Sequence, residues 1–355
     1  MPILNNKRVL ITGGTGSLGK TLVRRLLGGE IGTPERITIF SRDEGKQHAM
    51  RVAYMNAPTT STEEVIYNNF KRLIEFRVGD VRNIDSIAAA LMQSDIVINT
   101  AALKQVPTCE YFPYEAVSTN INAAENIVKA IRNFRIPIDT VVCISTDKAA
   151  KPVNVMGMTK AIQERIFLTA NIDCPNTRFI AVRYGNVLAS RGSVIPYFHE
   201  QIKSGGPITI THPEMTRFLL SLDEAVDIIF ESLRNARRGE TYIPIVPAAN
   251  VVDIADALIG DKKIDKVVTG IRPGEKLHEI LISEEEAHRA FKRDGHYVIP
   301  SILPEIHQSI HKELPVLDKE YSSEDNCVSK DEVRELLIRH SLMVPDNTEK
   351  EELLR

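Results

Sequence analysis

Residues Arg8–Thr12 (RVLIT) form a short apolar run that ends directly in glycines. A strand covered on both faces reads this way, because neither side meets water. The period then changes: between Ser17 and Gly28, Leu18, Leu22, Leu26 and Leu27 fall on one side of a helix. Arg36–Phe40 (RITIF), Ile74–Val78, Ile96–Asn99 (IVIN), Thr140–Ile144 (TVVCI) and Arg178–Arg183 (RFIAVR) repeat the strand signal. Helical stretches such as Ser86–Met92 and Glu115–Asn133 separate them. The stretch from Tyr54 to Lys71, with Pro58 and a Thr/Ser cluster, is expected to be a surface loop with a short helix. Strand–helix alternation with short connections predicts an α/β protein with a doubly wound parallel sheet.

Beyond Tyr184 the elements shorten, and Pro196, Pro207, Pro213, Pro244 and Pro247 interrupt them. We expect residues 1–185 to form a Rossmann-like NAD(P)-binding domain. Residues 186–340 are expected to form mainly a smaller, discontinuous substrate lobe, with some return to the first domain. Asp331–Arg339 reads as a helix, and residues 341–355 as a polar tail.

Composition narrows the class. Hydrophobic residues at 43% and charged residues at 26% are ordinary for a packed protein and argue against long disorder. A net charge of -3 without a basic patch argues against nucleic acid as a partner. A few local arginines still suffice to bind an anionic small molecule. The four cysteines, Cys109, Cys143, Cys174 and Cys327, are far apart and form no C-x-x-C pair, so free thiols in a reducing compartment are expected. No apolar run approaches the ~20 residues of a membrane helix, and the first strand begins too early to leave room for a signal peptide. These readings predict a cytoplasmic protein with no membrane partner.

The first candidate chemistry lies where strand meets helix. Thr12-Gly13-Gly14-Thr15-Gly16-Ser17-Leu18-Gly19 follows the first strand and opens a helix, with Gly13, Gly16 and Gly19 in G-x-x-G-x-x-G spacing. Glycines there let the backbone turn sharply and approach a pyrophosphate seated on the helix N-terminus. Thr15, Ser17 and Leu18 belong to the same expected contact surface. The second strand ends in Ser41, Arg42 and Asp43, with Lys46 following. A hydroxyl and a guanidinium ahead of any acidic residue suit a ribose 2′-phosphate, which favours NADP over NAD. Asp80 and Val81 close the third strand as candidates for the adenine side. Thr100, Ala101, Ala102 and Lys104 follow the fourth strand, where Lys104 could touch cofactor or substrate.

Ser145-Thr146-Asp147-Lys148 follows the fifth strand, and Lys160 lies twelve residues past Lys148 in a predicted helix. Ligands of a doubly wound sheet gather at the carboxyl ends of its strands, so these groups are candidates for acid–base work. The glycine loop, the Ser-Thr-Asp-Lys segment and the helix lysine resemble the extended short-chain dehydrogenase/reductases. More narrowly, seven segments resemble the UDP-N-acetylglucosamine 4,6-dehydratase family of bacterial glycan synthesis: FSRDEGKQ (40–47), VGDVRN (78–83), AALKQVPTCEYFPYEAVSTN (101–120), ISTDKAAKPVNVMGMTK (144–160), RYGNVLASRGSVIPYF (183–198), MTRFLLSLDEAV (215–226) and IRPGEKLHEILIS (271–283). EYSSEDN (320–326) also resembles the C-terminal end of soluble members. The chain departs from the wider pattern at Met156, which stands where a tyrosine usually precedes the helix lysine by four residues. A thioether cannot exchange a proton. Some members of the dehydratase family share this methionine.

The resemblance implies a UDP-N-acetylglucosamine substrate, a homo-oligomer, and a reaction without net redox change. Hydride leaves C4, a proton leaves C5 as the C6 hydroxyl departs, and hydride returns to C6. It implies Lys148 as the base at C5, Asp147 as the acid at C6 and Thr146 as a hydrogen-bond partner of the C4 oxygen. Lys148 must then lose its proton more readily than an ordinary lysine, with Lys160 and the oxidised nicotinamide as sources of positive charge, and Asp147 must hold its own more firmly. Thr119 and Asn120 are expected to reach the sugar. Asn186, Arg191, Ser193, Arg217, Arg272 and Glu275 form the expected nucleotide side, where arginines suit a diphosphate and a carboxylate suits ribose hydroxyls.

No metal site is expected. His307 and His311 lack a third ligand nearby, and His278-Glu279 lacks the second histidine of a zinc-protease helix. Two other readings remain: a UDP-hexose 4-epimerase on the same fold, and a non-catalytic NADP-binding protein. An epimerase needs no Asp–Lys pair and would normally keep the tyrosine.

Overall fold

In the computed structural model, the described residues are 2–56, 61–188, 193–306 and 313–344. Six strands follow the expected order: β1 (Arg8–Thr12), β2 (Arg36–Ser41), β3 (Ile74–Val78), β4 (Ile96–Asn99), β5 (Thr140–Thr146) and β6 (Arg178–Tyr184). The later strands are β7 (Ile208–Ile210), β8 (Thr216–Phe218), β9 (Thr241–Pro244), β10 (Ala248–Asn250), β11 (Lys266–Val268), β12 (Ile280–Ile282), β13 (Phe291–Arg293), β14 (His296–Ile299) and β15 (Tyr321–Ser322). Nine of them make one sheet in the order β13-β14-β9-β6-β5-β4-β1-β2-β3. The strands from β9 to β3 run parallel, and only the β14 and β13 edge is antiparallel. The protein is therefore Rossmann-like, and its strand order reverses between β1 and β4, where such sheets open a ligand crevice.

Side-chain alternation builds the two covering layers. Val9 and Ile11 of β1 share one apolar layer with Leu22, Leu26 and Ile228, while Leu10 shares the other with Ile87, Ile127 and Phe167. A third apolar cluster, including Phe198, Ile254, Leu258 and Leu337, forms the core of a smaller lobe. Residues beyond 185 also return to the main sheet through β9, β13, β14 and the Leu222–Asn235 helix. Arg183 of β6 ties this return together. It is 3% exposed and is paired with Glu164 and with Glu286, each at 2.7 Å.

Two expectations about elements need correction. The stretch around 54–71 is mostly helical, with helices Glu44–Met55 and Ser61–Leu73. Tyr54 stacks on Phe70 at 4.5 Å, and Phe70 and Leu73 are buried, so packing outweighs the loop-like composition. The stretch expected as one helix over Glu115–Asn133 is instead a short helix (Pro113–Ala116), a π-helical turn (Val117–Asn122) and a helix (Ala123–Phe134). Among the described residues, no helix is long and apolar enough to cross a membrane.

Candidate functional site

The glycine loop is shaped by close backbone contact. Gly13 has φ +68°, and a Cβ there would lie 2.8 Å from the backbone of Ala101, in the loop after β4. Thr100 seals the crossing by donating its hydroxyl to the Thr12 carbonyl at 2.6 Å. A Cβ on Gly19 would lie 2.5 Å from the Gly14 backbone, so the helix enters directly over the loop. The Ser17–Leu27 helix has no side-chain cap at Gly16 and no acidic residue in its first turn. Its N–H groups are thus suited to an anion, and the loop fits a dinucleotide pyrophosphate.

At the end of β2, Arg42 is exposed and lies 3.8 Å from Asp80. Asp43 caps the Glu44–Met55 helix by accepting from the Lys46 N–H at 2.9 Å, and it pairs with Lys46 Nζ at 2.8 Å. The Ser41 hydroxyl accepts from Gln47 at 3.0 Å. Asp80 forms a two-pronged pair with Arg82, which outweighs burial and lowers its carboxyl below the usual range. Val81 is buried in the apolar layer of Phe40 and Leu10, so its side chain is core.

The chemical centre sits on the 3₁₀ turn Asp147–Ala149 beyond β5. The Thr146 hydroxyl donates to Asp147 Oδ1 at 2.7 Å, and Lys148 Nζ donates to the same oxygen at 3.1 Å. Lys148 Nζ also donates to Glu279 Oε1 at 3.2 Å, and Arg217 Nε lies 3.7 Å from that oxygen. Asp147 and Glu279 are buried, whereas 22% of the Lys148 side chain remains exposed. Burial, and then the Glu279 charge, push the Asp147 carboxyl up. Burial pulls the Lys148 ammonium down, but Asp147 and Glu279 together outweigh it and leave it above the ordinary value. The expectation of a lysine held ready to deprotonate by the protein alone is thus corrected. Glu279 escaped the sequence reading because its role depends on distant parts of the chain coming together.

The Val155–Asp173 helix is pressed onto this turn at Gly157, where a Cβ would lie 2.2 Å from the Lys148 carbonyl oxygen. Asn154 caps that helix by accepting from the Gly157 N–H at 2.8 Å. Lys160 is buried and donates to the Ile144 carbonyl at 2.5 Å and to Gln163, and burial lowers its ammonium. Met156 is 6% exposed and packs with Cys109 and Ala116 in a small apolar cluster. Thr119 is buried in the π-helical turn. Asn120, expected to reach the sugar, is instead committed to structure. Its amide donates to the Leu103 carbonyl at 3.0 Å and to Thr159 at 3.0 Å, and it accepts from the Leu103 N–H at 2.8 Å.

On the expected nucleotide side, Asn186 Oδ1, Ser193 Oγ and Glu275 Oε2 are buried without a hydrogen-bond partner. Such groups are costly unless something pairs with them. Arg272 is exposed, and Lys104 is exposed beside the Ala101–Leu103 loop. Arg217, expected at a diphosphate, is turned to the backbone: it donates to the carbonyls of Thr216, Leu277 and Lys276 at 2.7, 3.1 and 3.2 Å. Arg191, His307 and His311 lie outside the described residues. Among the described residues, no group of His, Cys, Asp and Glu side chains could hold a metal.

A family profile described as polysaccharide biosynthesis protein matches residues 9–301. The UDP-glucose 4-epimerase of Rickettsia prowazekii (strain Madrid E) is 40% identical over 344 residues, covering 94% of this chain and 96% of that protein. The X-ray structure of Pen from Bacillus thuringiensis is 33% identical with a TM-score of 0.84, covering 96% of this chain and 99% of that one. DesIV from Streptomyces venezuelae, a dTDP-glucose 4,6-dehydratase solved with NAD and TYD bound, shares the fold at 20% identity, with a TM-score of 0.62 over 76% of this chain and 86% of that one.

Proposed function

The chain belongs to the polysaccharide biosynthesis protein family, and on that premise we propose that it is a nicotinamide-dependent UDP-N-acetylglucosamine 4,6-dehydratase. One observation carries this reading. A buried carboxyl and a lysine, bonded to each other at 3.1 Å, stand at the carboxyl end of β5, and the usual tyrosine slot holds Met156 in apolar contact. Elimination of water needs both an acid and a base, whereas epimerisation at C4 needs neither at C5 and C6.

The glycine loop binds the dinucleotide pyrophosphate, and exposed Arg42 and Lys46 favour the 2′-phosphate of NADP, with NAD as the alternative. The bound cofactor supplies a hydride acceptor at C4 and a donor at C6. Thr146 bonds the C4 oxygen and relays to Asp147. Asp147 protonates the departing C6 oxygen. Lys148, as a free amine, takes the C5 proton, which the C4 carbonyl has made acidic. The two requirements support each other. A protonated Asp147 no longer holds the Lys148 ammonium, and burial then favours the amine. Asn186, Ser193 and Glu275 offer their unpaired groups to the nucleotide.

A second reading, a UDP-hexose 4-epimerase, is favoured by the name of the 40% identical Rickettsia relative. NMR of the protein with UDP-N-acetylglucosamine and catalytic NADP in deuterated water separates the two. The dehydratase gives a new C6 methyl signal beside a 4-keto group, with deuterium at C5, and the C5 couplings report retention or inversion. An epimerised UDP-sugar with protium at C5 would replace this reading with the second. No turnover of any UDP-sugar would leave a non-catalytic binding protein.

A further inference from the structure

Glu279 has no part in the steps assigned above. It arrives from the far end of the chain, just ahead of β12, and Ser323 holds it there. The Glu279 N–H donates to Ser323 Oγ at 2.9 Å, and the Ser323 N–H donates to the Glu279 carbonyl at 2.8 Å. Oε1 lies between Lys148 Nζ at 3.2 Å and Arg217 Nε at 3.7 Å. Oε2 is buried without a hydrogen-bond partner. A half-paired buried carboxylate is costly, and anchoring Arg217 does not require one, because three carbonyls already hold that guanidinium.

We propose that Glu279 is a positioning residue for the Asp147–Lys148 pair: it holds the Lys148 amine jointly with Asp147 and carries the lasting negative charge of the cluster, which leaves the transferable proton on Asp147. The inference rests on the dehydratase reading. The charged groups around it are Asp147 and Lys148 on the turn, Arg217 on β8, and Lys276, which donates to the Ala150 carbonyl at 2.6 Å. His278 and Glu324 form the next pair outward at 3.9 Å, and Glu320 is engaged by Lys151. Two cations pair directly with Glu279 and only one with Asp147. Glu279 is therefore the carboxylate that stays ionised, and its charge disfavours a second one on Asp147.

The test is Glu279→Gln. Without the charge, Asp147 loses its proton at lower pH, and Lys148 becomes neutral at lower pH. The reaction needs a protonated Asp147 and a neutral Lys148, so both limbs of the kcat profile move to lower pH. At pH 8, kcat falls by roughly 10- to 100-fold. The Asp147 carboxyl, followed by ¹³C NMR, titrates at lower pH in Glu279→Gln, and Glu279→Asp restores much of the wild-type profile. A uniformly lower profile with unmoved limbs, or an unchanged Asp147 titration, overturns the proposal. A wild-type protein that dehydrates no UDP-sugar sinks the dehydratase reading instead, and the Asp147 titration then decides the Glu279 coupling by itself.

Discussion

A lysine caught between two carboxylates keeps its proton, and a carboxyl away from water beside another carboxylate gives its proton up late. Lys148 and Asp147 are in those positions, so the acid and the base of the proposed elimination begin with the protons that the acid needs and the base must lose. Met156 stands outside this exchange, buried against Cys109 and Ala116. Met156→Leu should keep kcat within about threefold and cost less than about 1.5 kcal/mol, because volume is nearly conserved. Met156→Tyr should destabilise the protein by about 1–3 kcal/mol through overpacking and a hydroxyl without a prepared partner. Denaturant unfolding and steady-state turnover check both variants. A gain in turnover with tyrosine would mean that the slot opens onto the reacting sugar.

Among the elements, the Val155–Asp173 helix sets the position of the catalytic turn. Helix propensity alone says that Gly157→Ala should stabilise by about 1 kcal/mol. The Cβ it adds would sit 2.2 Å from the Lys148 carbonyl oxygen, so the turn or the helix must move. We expect a net loss of about 1–3 kcal/mol and a fall in kcat of roughly tenfold or more, because Lys148 is displaced. Thermal unfolding and kcat measured on the same preparation test this, and a stabilised variant with normal turnover would show that the contact constrains nothing. The π-helical turn Val117–Asn122 has a comparable role, since it places Asn120 to pin the Leu103 backbone beside the cofactor loop.

For the whole molecule, the decisive link is the buried Glu164–Arg183–Glu286 triad, which joins a helix, the sheet and the returning C-terminal segment. Arg183→Met leaves two carboxylates buried without their cation and should cost about 3–5 kcal/mol. Acid should act on the same link. Burial by itself would raise the Glu286 carboxyl, but Arg183 outweighs it and holds it at about 2, against an ordinary 4.5. A depressed carboxyl contributes stability above its unfolded value, and that contribution is lost as pH falls through the folded one. Unfolding free energy should therefore drop by about 3 kcal/mol between pH 4.5 and 2 from this group. Glu286→Gln should flatten that part of the acid limb, and an unchanged slope would refute the assignment.

The sequence by itself determined the six parallel strands, the glycine loop and the Asp147–Lys148 segment. Each depends on neighbours within a few residues: an apolar run, a spacing of glycines, two groups at one strand end. The resemblance that named a reaction rested on the same local motifs. It could not separate a dehydratase from an epimerase, because that depends on which protons the site holds. The tertiary structure decided what long-range contact controls. It turned Arg217 from a phosphate ligand into a clamp on the 276–279 backbone and committed Asn120 to the Leu103 loop. It made a packed helix of 61–73, carried the chain beyond 185 back into the main sheet, and brought Glu279 to within 3.2 Å of Lys148. A side chain's charge and hydrogen bonds are set by what surrounds it in space, and residues 148 and 279 become neighbours only once the sheet and the returning segment have folded together.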